Sequence, residues 1–129
     1  MPAIQALIFD MDGTMVDSMP WHAKAWVEYA RRHGMDLDVP AFMQQTTGKN
    51  AFECACILMG RTVSADESAQ ITDEKEGIYR ELFAANFSAV DGFEAFQAKA
   101  RDMGIKVAIG TAGDAHNVQF VLGNLNMQP

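Results

Sequence analysis

Two short apolar runs mark this chain as a mixed α/β sequence. Residues 3–9 and residues 105–109 are rich in aliphatic side chains, and each run ends at a glycine-containing turn, which is typical of a buried strand. Between and after these runs the apolar residues recur at helical spacing. Because a helical pattern precedes the second run, the two strands are expected to lie parallel in a doubly wound sheet.

Capping residues and glycines set the limits of the predicted helices. Ser64 and Glu67 have the spacing of a capping box, and the helix that they open is expected to run to about Phe87. Asn50 is expected to cap a helix that ends before Gly60. Two further helices are predicted over about residues 19–33 and from about Asp38 onward. Two more are predicted over residues 93–103 and about residues 115–122.

The order of these elements predicts an interrupted domain. Two strands are too few for a stable sheet, since open α/β sheets usually have about four to six. We therefore expect residues 1–18 and 89–129 to form part of an α/β core, and residues 19–88 to be a helical insertion.

Composition and charge narrow the classes of function. The formal net charge of −7 argues against nucleic acids and anionic membrane surfaces as partners. Cys54 and Cys56, one residue apart on a predicted helix, favour a reducing cytoplasm and packing as small apolar side chains. No apolar run approaches the ~18 residues of a membrane span. Residues 1–5 lack the basic region of a signal peptide, so a cytoplasmic protein is expected.

The residues that follow the first predicted strand carry the strongest chemical pattern. Asp10 and Asp12 are two positions apart on an extended segment, so both carboxylates are expected to face one crevice at the carboxyl end of the strand. Two neighbouring anions raise each other's pKa unless a cation or hydrogen-bond donors compensate their charge. A hard divalent ion with oxygen ligands, Mg²⁺ in particular, fits this pair.

Two segments resemble the haloacid dehalogenase superfamily of phosphotransferases. They are Leu-Ile-Phe-Asp-Met-Asp-Gly-Thr-Met-Val-Asp-Ser at residues 7–18 and Val-Ala-Ile-Gly-Thr-Ala at residues 107–112. The segment between them is similar to the helical cap of the β-phosphoglucomutase-like subfamily, with a His-x-x-x-Trp pattern at His22 and Trp26. The resemblance implies a Rossmann-like parallel sheet, incomplete in this chain, with an inserted α-helical cap.

The resemblance also implies the roles of five core residues. Asp10 would be the nucleophile that forms an aspartyl-phosphate, and Asp12 would be the general acid and base. Asp10 and Asp12 would also hold Mg²⁺. Thr111, with the neighbouring backbone amides of Met11 and Ala112, would bind the phosphoryl oxygens.

Three cap residues are candidates for substrate contacts. His22 would touch the substrate or relay a proton, and Lys49 and Lys75 would bind a distal phosphate. For each of them a solvated position on a helix face is the alternative. Ala51 stands near the position where a mutase of this subfamily carries an arginine, which favours a simple phosphatase.

The leading hypothesis is a Mg²⁺-dependent phosphomonoester hydrolase of small phosphorylated metabolites, with sugar phosphates expected. A β-phosphoglucomutase-like isomerase of hexose phosphates is the first alternative. The lysine and the acidic motif that follow the second motif in the superfamily do not occur before Pro129. The second alternative is therefore an inactive fragment or binding module, and the missing part or a second chain is an expected partner. A receiver domain does not fit, because no strand ends in an aspartate within residues 45–65.

Overall fold

The computed structural model describes residues 3–127, which form two strands and six helices. The expectations for Met1, Pro2 and Pro129 lie outside the described residues. The elements in chain order are β1 Ala6–Phe9, α1 Met19–Arg32, α2 Val39–Thr46, α3 Ala51–Met59, α4 Ala65–Ala84, α5 Phe93–Asp102, β2 Lys106–Ile109 and α6 Ala115–Leu125.

The chain divides into two compact units. The first, which we call the core unit, comprises the described residues up to Met19 and from Asn86 onward. The second, the helical unit, comprises Pro20–Ala85. The sequence placed these boundaries after residues 18 and 88, whereas the units of the structure separate after residues 19 and 85.

The core unit is built on a parallel pair of strands. β1 and β2 pair in register from Ala6 opposite Lys106 to Phe9 opposite Ile109. The helix α5 packs against β2, and the Phe9 ring meets the Phe93 ring edge-on at a centroid distance of 5.1 Å. The parallel pairing confirms the predicted α/β fold class.

The expectation that both strands are buried is wrong. Exposed and half-buried positions alternate along β1 and β2, and Ile8 keeps 75% of its surface exposed. The helix α5 covers one face of the pair, whereas no helix among residues 3–127 covers the face that carries Ile8. β1 is also shorter than the predicted strand, since it begins at Ala6 rather than residue 3.

The helical unit has an aromatic core of its own. Trp26 packs edge-on against Phe42, with ring centroids 4.8 Å apart, and Tyr79 and Phe83 are fully buried. The helix α3 packs against α2 and α4. These contacts give residues 20–85 a hydrophobic centre that does not depend on the strands.

Side-chain caps begin the helices where the sequence predicted them. Asp38, Asn50 and Ser64 each accept a hydrogen bond from a backbone amide of the first turn, at 3.2, 2.8 and 3.1 Å. Gly60 ends α3 in the left-handed conformation, with φ of 68°.

The predicted end of α4 at about Phe87 is wrong, because the helix ends at Ala84. The residues that follow are held by the core unit instead. The Ser88 carbonyl accepts a hydrogen bond from the Asp17 amide at 3.0 Å, and Ala89 bridges to Val16. The opposite error occurs at α6, which continues past residue 122 to Leu125.

Within residues 3–127 no helix combines the length and the apolar character that a bilayer crossing requires.

Candidate active site

The parallel register brings two turns to the same edge of the sheet. Residues 10–14 follow β1 and residues 110–113 follow β2, and the last paired residues of the two strands are Phe9 and Ile109. The carboxyl ends of neighbouring parallel strands form the ligand-binding edge of an open α/β sheet. Both predicted motifs therefore lie at the position where such folds bind ligands.

The turn after β1 is held by its own backbone. The Met11 carbonyl accepts hydrogen bonds from the amides of Thr14 at 3.2 Å and Met15 at 2.9 Å, and the Gly13 amide donates to Val16 at 2.9 Å. Gly13 has φ of 76°, a backbone conformation in which a residue with a Cβ is sterically strained. The Met11 side chain is completely buried and anchors the turn in the core unit.

Asp12 is held by Ser18, a residue for which no catalytic role was predicted. The hydroxyl of Ser18, which is fully buried, donates to Asp12 Oδ1 at 2.7 Å. Ser18 lies six residues beyond Asp12, at the entry to α1, and a polar residue before a predicted helix suggests only a cap. The contact depends on the fold of the intervening turn, which spacing does not reveal.

Thr111 and Asp12 come together around Gly113. A Cβ built on Gly113 would lie 3.2 Å from Thr111 Oγ1, 3.9 Å from Asp12 Oδ2 and 3.1 Å from Met11 Cε. The absence of a side chain at position 113 therefore keeps open a small space bordered by a carboxylate and a hydroxyl. Met11, Asp12 and Thr111, which the sequence selected, border one space in the structure.

Hydrogen-bond donors at this edge are available for an anion. The Gly113 amide donates to Thr111 Oγ1 at 3.0 Å, so the Thr111 hydroxyl proton is left to donate elsewhere. Among the described residues, neither the Met11 amide nor the Ala112 amide donates a hydrogen bond. The predicted phosphate-binding groups thus form a set of donors that the core unit does not itself use.

Asp10 is exposed at the end of β1. Its carboxylate and the oxygens of Asp12 are the hard donors that Mg²⁺ prefers, and one or two carboxylates with waters and a phosphate are a usual magnesium site. Within residues 3–127 no three His, Cys, Asp or Glu side chains are grouped to hold a metal. A carboxylate oxygen of Asp10 and the main-chain carbonyl oxygen of Asp12 are donors of the kind that Mg²⁺ prefers, and the magnesium site stays a prediction.

In the helical unit, the structure brings His22 and Lys75 together. The Lys75 ammonium donates to His22 Nδ1 at 2.7 Å and to Glu76 Oε1 at 2.9 Å. The His22 ring stacks on Tyr79 at a centroid distance of 3.8 Å. Lys75 is only 5% exposed, so the alternative of a solvated lysine is wrong for this residue.

Lys49 does not share a contact with this pair. Its side chain is exposed, and its ammonium lies 3.9 Å from Glu53 Oε2 in an ion pair on the surface of α3. The solvated alternative describes the position of Lys49 in the structure.

Burial of the neighbouring Cys54 raises the pKa of its thiol, and the charge of Lys75 lowers it by less.

Comparisons with known proteins agree with the fold. Hexitol phosphatase A from Escherichia coli (strain K12) is 34% identical over 117 residues, which are 84% of this chain and 49% of that protein. A crystal structure of a HAD hydrolase, family IA, variant 3 from Entamoeba histolytica matches with a TM-score of 0.80 and 25% identity. The match covers 93% of this chain and 54% of that chain.

A crystal structure of β-phosphoglucomutase from Clostridium difficile matches with a TM-score of 0.74 and 27% identity, over 98% of this chain and 58% of that chain. The chain thus spans about half the length of the curated relatives it matches. The family model for haloacid dehalogenase-like hydrolases matches residues 4–129. With the Asp-x-Asp turn and Thr111 at one edge of a parallel sheet, the chain belongs to the haloacid dehalogenase-like hydrolase family.

Proposed function

We propose that this chain carries the nucleophile and phosphate site of a Mg²⁺-dependent phosphomonoester hydrolase that acts on sugar phosphates and similar small metabolites. The carrying observation is the convergence of the Asp12 carboxylate and the Thr111 hydroxyl around Gly113. Asp10, which is exposed, lies two residues before Asp12 in the same turn. A carboxylate nucleophile, a second carboxyl group and donors for phosphoryl oxygens are the groups that phosphoryl transfer through an aspartyl-phosphate requires.

The proposed reaction has two steps. A carboxylate oxygen of Asp10 attacks phosphorus, and the bond from phosphorus to the ester oxygen breaks as Asp12 gives its proton to the leaving oxygen. Asp12 then takes a proton from water, which attacks phosphorus and releases phosphate from Asp10. The Thr111 hydroxyl and the amides of Met11 and Ala112 donate to the phosphoryl oxygens throughout.

Ser18 has a positioning role in this scheme. Its hydroxyl holds Oδ1 of Asp12, which leaves Oδ2 on the side of the space beside Gly113. Mg²⁺, when bound by a carboxylate oxygen of Asp10 and the main-chain carbonyl of Asp12, would neutralise charge on the phosphoryl group.

We propose the cap residues for the part of the substrate away from the phosphoryl group. The hydrogen bond between Lys75 and His22 supports a joint role for these two residues. Lys49 is proposed for the same role on the charge of its exposed ammonium. The similarity to a hexitol phosphatase supports a phosphorylated sugar or sugar alcohol as the substrate.

A β-phosphoglucomutase-like isomerase is the second candidate, and the match to the Clostridium difficile β-phosphoglucomutase favours it. The two activities differ in the fate of the phosphoryl group, which goes to water in one and returns to a sugar hydroxyl in the other. Phosphate release measured beside isomerisation of a hexose phosphate separates them.

We further propose that activity requires a polypeptide that supplies the part of the relatives this chain does not match. The uncovered face with Ile8 and an apolar groove of about 370 Å³ beside β1 and α5 support such a partner. Without it the chain would act only as a binding module. We also propose a cytoplasmic location, which the absence of a disulfide between Cys54 and Cys56 supports.

The test is phosphate release from a panel of sugar phosphates by the chain, alone and with a polypeptide equivalent to the unmatched half of the relatives. Asp10→Asn is expected to abolish release, and Asp12→Asn to slow it about 10²–10⁴-fold. Asp91→Asn, an exposed aspartate in a turn of the core unit, is the matched control and should keep full activity. An active Asp10→Asn protein, free of deamidation, would rule out the covalent step.

A further inference from the structure

The core unit has an apolar groove beside β1 that its own side chains do not fill, which we call the β1 groove. Its volume is about 370 Å³, and it is lined by Lys99 and by six apolar residues from β1, α5 and the residues around them. Three of these apolar residues, Ile4, Phe96 and Met103, keep 67, 57 and 67% of their surface exposed. Large exposed apolar side chains gathered in one groove are typical of an interaction surface.

The strand that borders this groove has an open edge. Within residues 3–127, β1 pairs only with β2. The Phe9 carbonyl accepts a hydrogen bond from the Gly110 amide at 2.8 Å, so the backbone groups of alternate residues of β1 point towards β2. Those of Ala6 and Ile8 therefore point to the opposite edge, which has no strand partner in the described part of the chain. Leu7 lines the groove and no residue of β2 does, so the groove lies on the side of the open edge.

Lys99 supplies the charge of the β1 groove. It is the one charged residue among those that line the groove, and its side chain is exposed. Among the described residues Lys99 forms no ion pair, whereas five basic residues of the helical unit each pair with a glutamate. An unpaired ammonium at an apolar groove favours a partner that brings a carboxylate.

Together the open edge, the groove and the ammonium indicate the kind of segment that fits. An extended peptide adds to an exposed sheet edge through main-chain hydrogen bonds, and pockets for its alternate side chains give selectivity. Because side chains of a strand alternate between its two faces, every second residue of such a segment would face the groove. The fitting pattern is therefore apolar residues at every second position, with Asp or Glu at the same spacing beside them.

We propose that the β1 groove is a docking site for an extended segment of another polypeptide, which pairs with the open edge of β1, fills the groove with alternate apolar side chains and places a carboxylate on Lys99. The inference rests on the proposed function in one respect, since it gives the core unit a site for the partner polypeptide that activity is proposed to require.

The experiment measures binding alone and needs no turnover. The full chain is titrated, by fluorescence anisotropy, against three labelled peptides of alternating valine and threonine. They differ only in one residue, Glu, Gln or Lys, two positions beyond the last valine. The Glu peptide is expected to bind about threefold more tightly than the Gln peptide, the effect of an exposed ion pair, and the Lys peptide least tightly.

Two pairs of variants test the residues of the groove. Lys99→Glu should reverse the order of the three peptides, whereas Lys106→Glu, the same charge change outside the groove, should keep the wild-type order. Met103→Gln should weaken the binding of all three peptides about tenfold, because it removes apolar surface that the segment covers. Val27→Gln, a change at an exposed residue of the helical unit, should leave the affinities unchanged.

Methylated peptides test the pairing with β1. Successive amides of a strand point to opposite edges, so methylation of one alternate set of peptide amides should abolish binding. Methylation of the other set should leave the affinity unchanged.

Several results would overturn the inference. They are equal affinities for the three peptides, an order that Lys99→Glu does not reverse, or the same effect from both sets of methylated amides. Self-association of the wild-type chain that Met103→Gln abolishes, with no binding of any peptide, would assign the groove to a second copy instead. The Asp10→Asn chain should bind the peptides as the wild-type chain does, so a failure of the proposed hydrolase is distinguished from a failure of the docking site.

Discussion

At the scale of single residues, the space beside Gly113 is the feature most open to test. Gly113→Ala places a Cβ 3.1 Å from Met11 Cε and 3.2 Å from Thr111 Oγ1, so one neighbour must move by a few tenths of an ångström. We expect the fold to remain and the affinity for inorganic phosphate to fall about tenfold, since displaced binding groups lose much of their effect. Isothermal titration calorimetry with phosphate measures this.

Gly123→Ala is the matched control, because no atom lies within 4 Å of the Cβ that it adds. It should leave the affinity for phosphate unchanged. Equal affinities in the wild-type and Gly113→Ala chains would show that the space beside Thr111 does not receive the phosphoryl group.

Cys54 provides a prediction on pH. Burial, more than the charge of Glu53, raises the pKa of its thiol above the ordinary value, and the charge of Lys75 only partly opposes this. The folded chain then holds less thiolate than the unfolded chain near pH 9. Stability that depends on the neutral thiol is present below the unfolded pKa and is lost as pH rises towards the folded pKa.

The measurement is iodoacetamide alkylation of a Cys56→Ser chain between pH 7 and 10, folded and in urea. The folded chain should react more slowly, with its half-maximal rate at a higher pH than in urea. Coincident pH profiles in the two states would contradict the assigned effect of burial.

Some residues of the site were predicted from the sequence, whereas some of its contacts are evident only in the folded structure. The sequence selected Asp12 and Thr111 because both follow strands, and the parallel register places them at one edge. The hydrogen bond from Ser18 to Asp12 was not predicted, since it depends on a turn. The burial of Lys75 could have been inferred, because Ile71 and Tyr79 lie one turn before and after it on the apolar face of α4.

At the scale of elements, two glycines in the helical unit should respond to alanine in opposite directions. Gly77 lies inside α4 with no atom within 4 Å of an added Cβ, so Gly77→Ala should stabilise the chain by about 0.5–1 kcal/mol. Gly60 ends α3 with φ of 68°, so Gly60→Ala should destabilise it by roughly 1–2 kcal/mol.

Urea denaturation followed by circular dichroism at 222 nm gives both free energies of unfolding. Both substitutions add the same methyl group, so each serves as the control for the other. A shift of the same sign in the two variants would contradict the conformations assigned to α3 and α4.

Helix starts were predicted well from the sequence, and helix ends less well. Asp38, Asn50 and Ser64 cap through short-range contacts that the sequence itself encodes. The end of α4 depends instead on long-range backbone pairing of residues 88–90 with residues 15–17. The helical propensity of the residues up to 87 does not show that this backbone pairing competes with continuation of the helix.

At the scale of the whole molecule, the two units differ in how well they bury apolar side chains. The helical unit encloses Tyr79 and Phe83 completely. In the core unit Ile4 and Ile8 remain 67 and 75% exposed, and so does much of Phe96. The apolar run at residues 3–9 was read from the sequence as a buried strand, whereas burial also requires a second layer that the described residues do not provide.

This uncovered sheet face leads to a prediction about the chain in solution. A largely exposed aliphatic side chain on an uncovered sheet with an unpaired strand edge favours association, which a charge at that position should oppose. We expect the wild-type chain to self-associate with rising concentration and Ile8→Lys to shift it towards the monomer. Because Ile8 is already 75% exposed, the free energy of unfolding should change by less than about 0.5 kcal/mol.

Light scattering after size-exclusion chromatography, over a hundredfold range of loading concentration, measures the molar mass of each variant. Val27→Lys is the matched control, since Val27 is a half-exposed aliphatic residue on α1 of the helical unit, at 55% exposure. It adds the same charge and should leave the self-association of the chain unchanged. A monomeric wild-type chain at every concentration would contradict the expected association. An equal shift in both variants would show that net charge or another surface governs it. A specific shift in Ile8→Lys alone would instead identify the face that carries Ile8 as the surface through which copies of this chain associate.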